Sequence, residues 1–293
     1  MRDRLRALLP RLHVLSALSE QLDQWAEWLV RTRFEGWSDA EIAAALGQLA
    51  GRRDHVLDGA AIEPGDAVAD VGAGTGLLTL GAVDRVGPDG DVLAIDVSVD
   101  GLEELRAHAS APNIAYFVGS AEVLPLPDEC VDAVVTRSVL IYVDDKAEAA
   151  REFARVLRSG GHVSLFEPIN RRNLRLTEAL DFSPLGELGE RLRASNDELY
   201  RNPNDAMLNF DEADLERFFT EAGLDVDVEL GVDEREIAAE RYLSQVGAPG
   251  RPTLRARWED AFTPEEVEQL VGFLAGRMIP WRVTYVFLTA VKP

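Results

Sequence analysis

The chain is poor in the residues that soft metals and disulfides require. It carries one cysteine, Cys130, and four histidines, His13, His55, His108 and His162, scattered along the sequence. A single thiol excludes an internal disulfide and a thiolate metal cluster, and it suits a reducing cytoplasm. No histidine pair has metal-ligand spacing, so no metal is expected. Lysine is nearly absent as well: Lys146 and Lys292 are the only lysines among 30 basic residues, which face 52 acidic ones. The net charge of −22 repels phosphate backbones and anionic lipid surfaces, and this removes nucleic acid from the expected partners. Nowhere do the roughly 18 uncharged apolar residues of a membrane span run together. In the basic start, Met1 to Pro10, the apolar stretch is broken by Pro10, Arg11 and His13, so no secretion signal is expected.

What the chain does have is a core. Hydrophobic residues make up 46% of 293 positions, which suits one α/β core with sizeable insertions. Residues 1–60 read as a helical cap: Leu12, Leu15, Leu18 and Leu22 lead into Trp25, Trp28 and Leu29 at helical spacing. Ser38-Asp39-Ala40-Glu41 is a capping box opening a helix from Glu41 to about Leu49, with a further turn over Arg52–Leu57. From residue 61 strands and helices alternate. Strands are expected at Ala67–Val71, Val92–Ile95, Ile114–Val118, Val131–Thr136 and His162–Phe166. Helices are expected at Leu77–Val86, Gly101–Ser110 and Lys146–Leu157. Such alternation means a parallel sheet, here a Rossmann-like one with helices on both faces. Two insertions interrupt it, about 168–209 and about 231–281. The first reads as polar and irregular. Asp211 then caps a helix carrying Leu215, Phe218, Phe219 and Ala222, stopped by Gly223, and Leu224–Leu230 reads as a strand. The second insertion supplies a helix near Asp233–Gln245 and one opened by the capping box Thr263-Pro264-Glu265-Glu266. Arg282–Val291 closes the chain as a β-branched and aromatic strand. Ligands of open α/β sheets bind beyond the carboxyl ends of the strands, so the cap and insertions are expected to cover a substrate or to supply a homodimer interface.

The most informative stretch is Val68-Ala69-Asp70-Val71-Gly72-Ala73-Gly74-Thr75-Gly76-Leu77, followed by Asp96 at the end of the next apolar run. Gly72 and Gly74 let the chain turn sharply and let a ligand lie on the backbone, and the helix behind presents free N–H groups. Asp96, with Val97 beside it, is placed to take ribose hydroxyls. A dinucleotide site wants G-x-G-x-x-G, but its third glycine is replaced here by Leu77. Asp70 suits a ligand with an amino group and a sulfonium better than a pyrophosphate. S-adenosylmethionine (SAM) is such a ligand.

These residues resemble the first two motifs of the class I SAM-dependent methyltransferases. Gly119-Ser120-Ala121-Glu122-Val123-Leu124-Pro125-Leu126-Pro127 is similar to the family's loop against adenine, with Ser120 in place of the usual Asp. Asp132-Ala133-Val134-Val135-Thr136-Arg137-Ser138-Val139-Leu140 resembles the fourth strand and the loop passing the methionine end. Glu152 to Gly161 resembles the lead into the fifth strand. Together the motifs span roughly 65–167 and are closest to the ubiquinone/menaquinone and small-molecule branch.

The resemblance implies seven strands, the last inserted antiparallel between the fifth and sixth, and methyl transfer by direct displacement to oxygen, carbon or nitrogen of a small acceptor. It implies cofactor contacts from Asp70, Gly72, Ala73, Gly74, Thr75, Gly76, Asp96, Val97, Ser120, Ala121, Glu122, Arg137 and Ser138. Tyr142, where relatives often carry His, and Glu167, facing the pocket mouth, are the candidate catalytic residues. Arg52 or Arg53 is a candidate for the cofactor carboxylate or a plain surface residue. His13 and His55 matter only if the cap folds over the site. Trp25, Trp28, Phe34, Trp37, Trp258 and Trp281 line an apolar pocket or pack a core. Arsenite methylation, which needs several cysteines, and base amino-methylation, which needs an (N/D)-P-P-(Y/F) tetrad after the fourth strand, are disfavoured. SAM binding without turnover and a nicotinamide-dependent oxidoreductase stay open as alternatives.

Overall fold

The computed structural model describes residues 23–34 and 37–293. Leu12, His13, Leu15, Leu18 and Leu22 lie outside the described residues. Seven strands form one sheet: β1 (Ala67–Val71), β2 (Asp91–Asp96), β3 (Ile114–Val118), β4 (Val131–Arg137), β5 (Leu157–Pro168), β6 (Asp225–Ala238) and β7 (Met278–Val291). Their order is β3-β2-β1-β4-β5-β7-β6, and β1 to β5 pair in parallel. The order reverses between β1 and β4. Right-handed crossovers then place the helices of the two halves on opposite faces, and the reversal opens a crevice at the carboxyl ends of β1 and β4.

β7 runs against β5. Gly160 N–H donates to Lys292 near the start of β5, whereas Ile169 N–H, just past its end, donates to Thr284. One index climbs while the other falls, which is an antiparallel register. The strands at the centre are mainly apolar because both faces are covered, and all five residues of β1, Asp70 among them, are buried.

Packing divides the chain into two compact units. The first runs to Glu167 and adds Ala213–Glu229 and Phe287–Pro293; the second comprises Pro168–Glu212 and Leu230–Val286. In the first, the helix Lys146–Val156 buries Ala149, Ala150 and Phe153, and Phe153 meets Phe219 with ring centroids 6.0 Å apart. The second has its own core of Leu176, Phe182, Leu188, Trp258, Leu270 and Ile279.

Several local expectations are corrected. Glu41–Leu49 and Arg52–Leu57 belong to one continuous helix, Asp39–Gly59, with the Ser38 capping box in place; Gly51 interrupts the pattern but not the backbone ladder. The stretch expected to be irregular holds a 15-residue helix, Glu187–Arg201, whose apolar side supplies Leu188 and Leu192 to the second core. The helix expected over Asp233–Gln245 forms only as Ala239–Ser244, because β6 continues to Ala238. Alternation in Val232-Asp233-Glu234-Arg235-Glu236-Ile237 is a strand pattern, hidden in sequence by its acidic residues. A further helix, Leu254–Ala261, is capped by Thr253. Among the described residues no helix is long and apolar enough to cross a membrane.

One side chain organises the loop after β3. Arg155 donates to Leu126 O at 2.9 Å, Leu124 O at 3.2 Å and Asp128 at 2.7 Å, and it pairs with Glu152, which accepts from Leu124 N–H at 2.8 Å. Arg155→Ala frees both carbonyls and leaves Glu152 without its cation. The expected cost is about 2–3 kcal/mol, the worth of one or two charge-assisted hydrogen bonds, read as a lower denaturation midpoint with unchanged m-value.

Candidate active site

The carboxyl end of β1 runs into a turn that tolerates no side chain at Gly72 or Gly76. Gly72, Gly74 and Gly76 have φ of 76°, 50° and 95°, a left-handed region in which other residues are strained. A Cβ on Gly72 would lie 2.1 Å from Val139 Cγ2, one on Gly76 2.2 Å from Leu105 Cδ1, and one on Gly74 3.1 Å from Leu29 Cδ1. Gly76 is the N-cap of the helix Leu77–Val86. Between the glycines, Ala73 is buried and Thr75 exposed.

Asp70 lies directly beneath this turn with no exposed surface. Its Oδ2 accepts from the Thr79 hydroxyl at 2.5 Å, while Oδ1 is buried with no partner among the described residues. Burial pushes its pKa up to about 7; the Asp96 charge adds to this, and hydrogen bonds from Thr79 oppose it. Asp96 is oriented from two sides: Gly74 N–H donates to Oδ2 at 2.7 Å and Ser98 N–H to Oδ1 at 2.8 Å. Burial raises its pKa too, against those two donors, with Asp23 adding like charge. Val97, next to it, is 56% exposed.

The segment before the long N-terminal helix reaches this site. Asp23 caps Gln24–Glu27, its carboxylate also accepts from the Ser98 hydroxyl at 2.7 Å, and its N–H donates to Asp100. Neither Asp23 nor Thr79 was legible as a site residue, since each acts through a contact distant in sequence.

The loop after β3 joins β2 where Gly119 N–H donates to Asp96 O at 3.0 Å. Ser120 bridges Val123, Ala121 is buried, and Glu122 accepts from Asp145 N–H at 2.9 Å. After β4 the chain turns at Ser138, with φ of 54° and its N–H donating to Phe166 O at 2.8 Å. Tyr142 then meets the edge of Trp25 with centroids 4.8 Å apart.

The expectation that Glu167 faces the pocket mouth is not met. It has no exposed surface, and its carboxylate accepts the N–H groups of Val139 at 2.8 Å, Leu140 at 2.9 Å and Ile141 at 3.1 Å. Glu167 therefore positions the turn that presses Val139 onto Gly72. Burial pushes its pKa up to about 7, against the three donors and the Arg137 charge. His55, outside the crevice, stacks on Phe287 at 3.7 Å near Glu229. Arg53 pairs with Asp54. Trp258 packs the second unit's core, and Trp281 lies under Arg235.

A glycine turn with acids at two strand ends, set at the switch point of a doubly wound sheet, marks a class, and comparison with known proteins narrows it. A methyltransferase domain model matches residues 69–165. A ubiquinone/menaquinone biosynthesis C-methyltransferase from Hahella chejuensis is 34% identical over 176 residues, 57% of this chain and 70% of that protein. Among solved structures, a putative methyltransferase from Bacillus halodurans aligns with a TM-score of 0.54 at 20% identity, over 83% of this chain and 99% of the other. A geranyl diphosphate methyltransferase in complex with SAM aligns at 0.50 and 17%, over 93% and 96%. The chain belongs to the class I SAM-dependent methyltransferases. It is an enzyme of that kind rather than a nicotinamide-dependent oxidoreductase.

The residues present fit SAM. The buried Oδ1 of Asp70, without a partner among the described residues, leaves a lone pair of the kind an ammonium would take. The glycine turn keeps its left-handed backbone bare at Gly72 and Gly76, where a Cβ would collide with Val139 and Leu105.

The pH dependence of Glu167 is testable. Its folded pKa is raised from the ordinary 4.5 to about 7, so its contribution to stability is complete below 4.5 and lost as pH rises through about 7. Stability of the parent relative to Glu167→Gln should fall across that window by a few kcal/mol, at about 1.4 kcal/mol per pH unit, and then level off. Urea unfolding at a series of pH values measures the difference; a constant value would contradict the shift.

Proposed function

We propose that the protein transfers the SAM methyl group by direct displacement to a small, partly apolar organic acceptor bound beside Tyr142. The observation that carries this is the Gly72–Gly76 turn lying against Val139, which brings the cofactor turn and the post-β4 turn together at one crevice. The Hahella chejuensis relative acts, by its name, on carbon in quinone biosynthesis. That likeness favours carbon over oxygen or nitrogen here.

Asp96 anchors the ribose hydroxyls. Its carboxylate is already held by Gly74 and Ser98, so little ordering is left to binding. Asp70 receives the amino end, and the backbone of Gly72–Gly76, with the helix behind it, faces the carboxylate. Ser120, Ala121 and Glu122 flank adenine, with Ala121 N–H as a donor. Arg137 and Ser138 border the methionine end. SAM supplies an already activated methyl group. The protein's share is to hold the nucleophile in line behind it and to exclude water. Tyr142 orients the acceptor or takes its proton. The single cysteine fits a cytoplasmic enzyme.

Asp96→Ala and Gly72→Val should each weaken SAM binding by about ten- to a hundredfold, the worth of a charge-assisted hydrogen-bond pair or of the lost turn. Calorimetry measures this, and unchanged affinity in both would reject the cofactor site as drawn. Since Asp70 must give up its proton to accept an ammonium, SAM affinity should rise with pH through about 7, and this dependence should vanish in Asp70→Asn. Tyr142→Phe should leave SAM affinity unchanged and lower turnover by about ten- to a hundredfold, assayed by mass spectrometry on a panel of phenols and quinols.

A further inference from the structure

The helices of the second unit bring together polar side chains that the methyl transfer does not use. Leu176–Ala179 packs on Glu187–Arg201, and Ala239–Ser244 packs on Leu254–Ala261. Tyr200 comes from the second of these helices, Tyr242 from the third and Arg257 from the fourth. Arg175, the N-cap residue of the first, lays its guanidinium over the Tyr200 ring at 4.3 Å. Tyr242 packs on the core that holds Leu243 and Trp258. Both tyrosines lie within range of the Arg257 charge, and Tyr242 also feels Tyr200.

The polar atoms of this cluster are left over. Arg175 is balanced by Asp197 at 3.1 Å and Glu178 at 3.8 Å. Arg255 reaches Glu259 and Glu268, each at 2.9 Å. Arg257, on the opposite side of the same helix, has no carboxylate at ion-pair distance among the described residues, and its Nε is buried without a partner. Neither the Tyr200 nor the Tyr242 hydroxyl makes a hydrogen bond among the described residues. Burial raises the pKa of Tyr200, against Arg175 and Arg257, and pushes that of Tyr242 up to about 12, against Arg257. Both phenols therefore stay protonated at neutral pH and can donate.

A guanidinium drawn out of water without a counter-ion costs free energy, and polar atoms so placed normally have an acceptor supplied from somewhere. One uncompensated cation leaves one charge to balance. Glu178 and Asp197, held at Arg175 beside Tyr200, would repel a dianion. We propose that Tyr200, Tyr242 and Arg257 form a second binding site, for the carboxylate of a small monoanionic molecule, in which Arg257 pairs with the charge and the two phenol hydroxyls donate to its oxygens. None of the three belongs to the cofactor site, so this goes beyond the methyltransferase reading and does not depend on it.

The test titrates benzoate, hexanoate, neutral benzamide and inorganic phosphate into the full chain by calorimetry, with and without saturating S-adenosylhomocysteine. A carboxylate should bind about tenfold or more tighter than the amide or phosphate, whether or not the nucleoside is present, and this margin should shrink with salt. Arg257→Met should abolish the margin. Tyr200→Phe and Tyr242→Phe, which keep the ring and remove one donor, should each weaken carboxylate binding about three- to tenfold. Since the unpaired guanidinium is unfavourable in the empty site, Arg257→Met should melt no lower than the parent, and benzoate should raise the melting temperature of the parent alone. Equal affinity for benzoate and benzamide, or no binding of either carboxylate at millimolar concentration, overturns the proposal and leaves the cluster to ordered water. So does carboxylate binding that survives Arg257→Met and is displaced by S-adenosylhomocysteine, which would place it in the cofactor crevice. If Arg257→Met does not fold, the two phenylalanine variants carry the test, and unchanged carboxylate affinity in both overturns the site.

Discussion

A carboxylate removed from water holds the active-site end of this sheet together. Glu167, at the end of β5, spends both oxygens on the N–H groups of Val139, Leu140 and Ile141. Those groups leave β4 in a turn that forms no ladder of its own, so without Glu167 they would be buried and unpaired. With them fixed, Val139 fills the space over Gly72, and the post-β4 turn and the cofactor turn become one surface. Burying a carboxyl is costly, and the raised pKa of Glu167 is the sign of that cost. The site is therefore built on a group that a cation close by would favour in its charged form.

The same economy recurs around the crevice. Asp70 ties the helix start to β1 through Thr79 and keeps one buried oxygen free of protein partners. Asp96 ties Gly74 to Ser98. Each acid is fixed by donors from a neighbouring turn or helix start, which explains how short strand-end residues are held accurately without large side chains around them.

Much of this was legible in the chain. Apolar runs with helices between them located β1 to β4 to within a residue, because central parallel strands are buried on both faces and read as continuous apolar stretches; β5 begins at Leu157, five residues before the expected His162. Capping boxes at Ser38 and Thr263 located two helix starts. The reading failed where local pattern and environment part. β6 carries acids on its outer positions, so Asp233 to Glu236 looked helical although the strand runs through them. The helix Glu187–Arg201 is mostly polar, and its few apolar residues matter only because a second core receives them. The Glu152-to-Gly161 motif was recognisable, yet the reason for Glu152 and Arg155 appeared only with the loop they clamp.

Sequence by itself determined the cofactor: a strand, an acid, three alternating glycines and a second acid are local features whose geometry follows from backbone sterics, and Leu77 in place of a third spaced glycine pointed away from a dinucleotide. Tertiary structure decided the rest. That Glu167 positions rather than reacts and that Asp23 reaches Ser98 both depend on contacts between residues far apart in the chain. Spacing along a sequence encodes the local turn, but only packing brings charges from separate elements within range of one another.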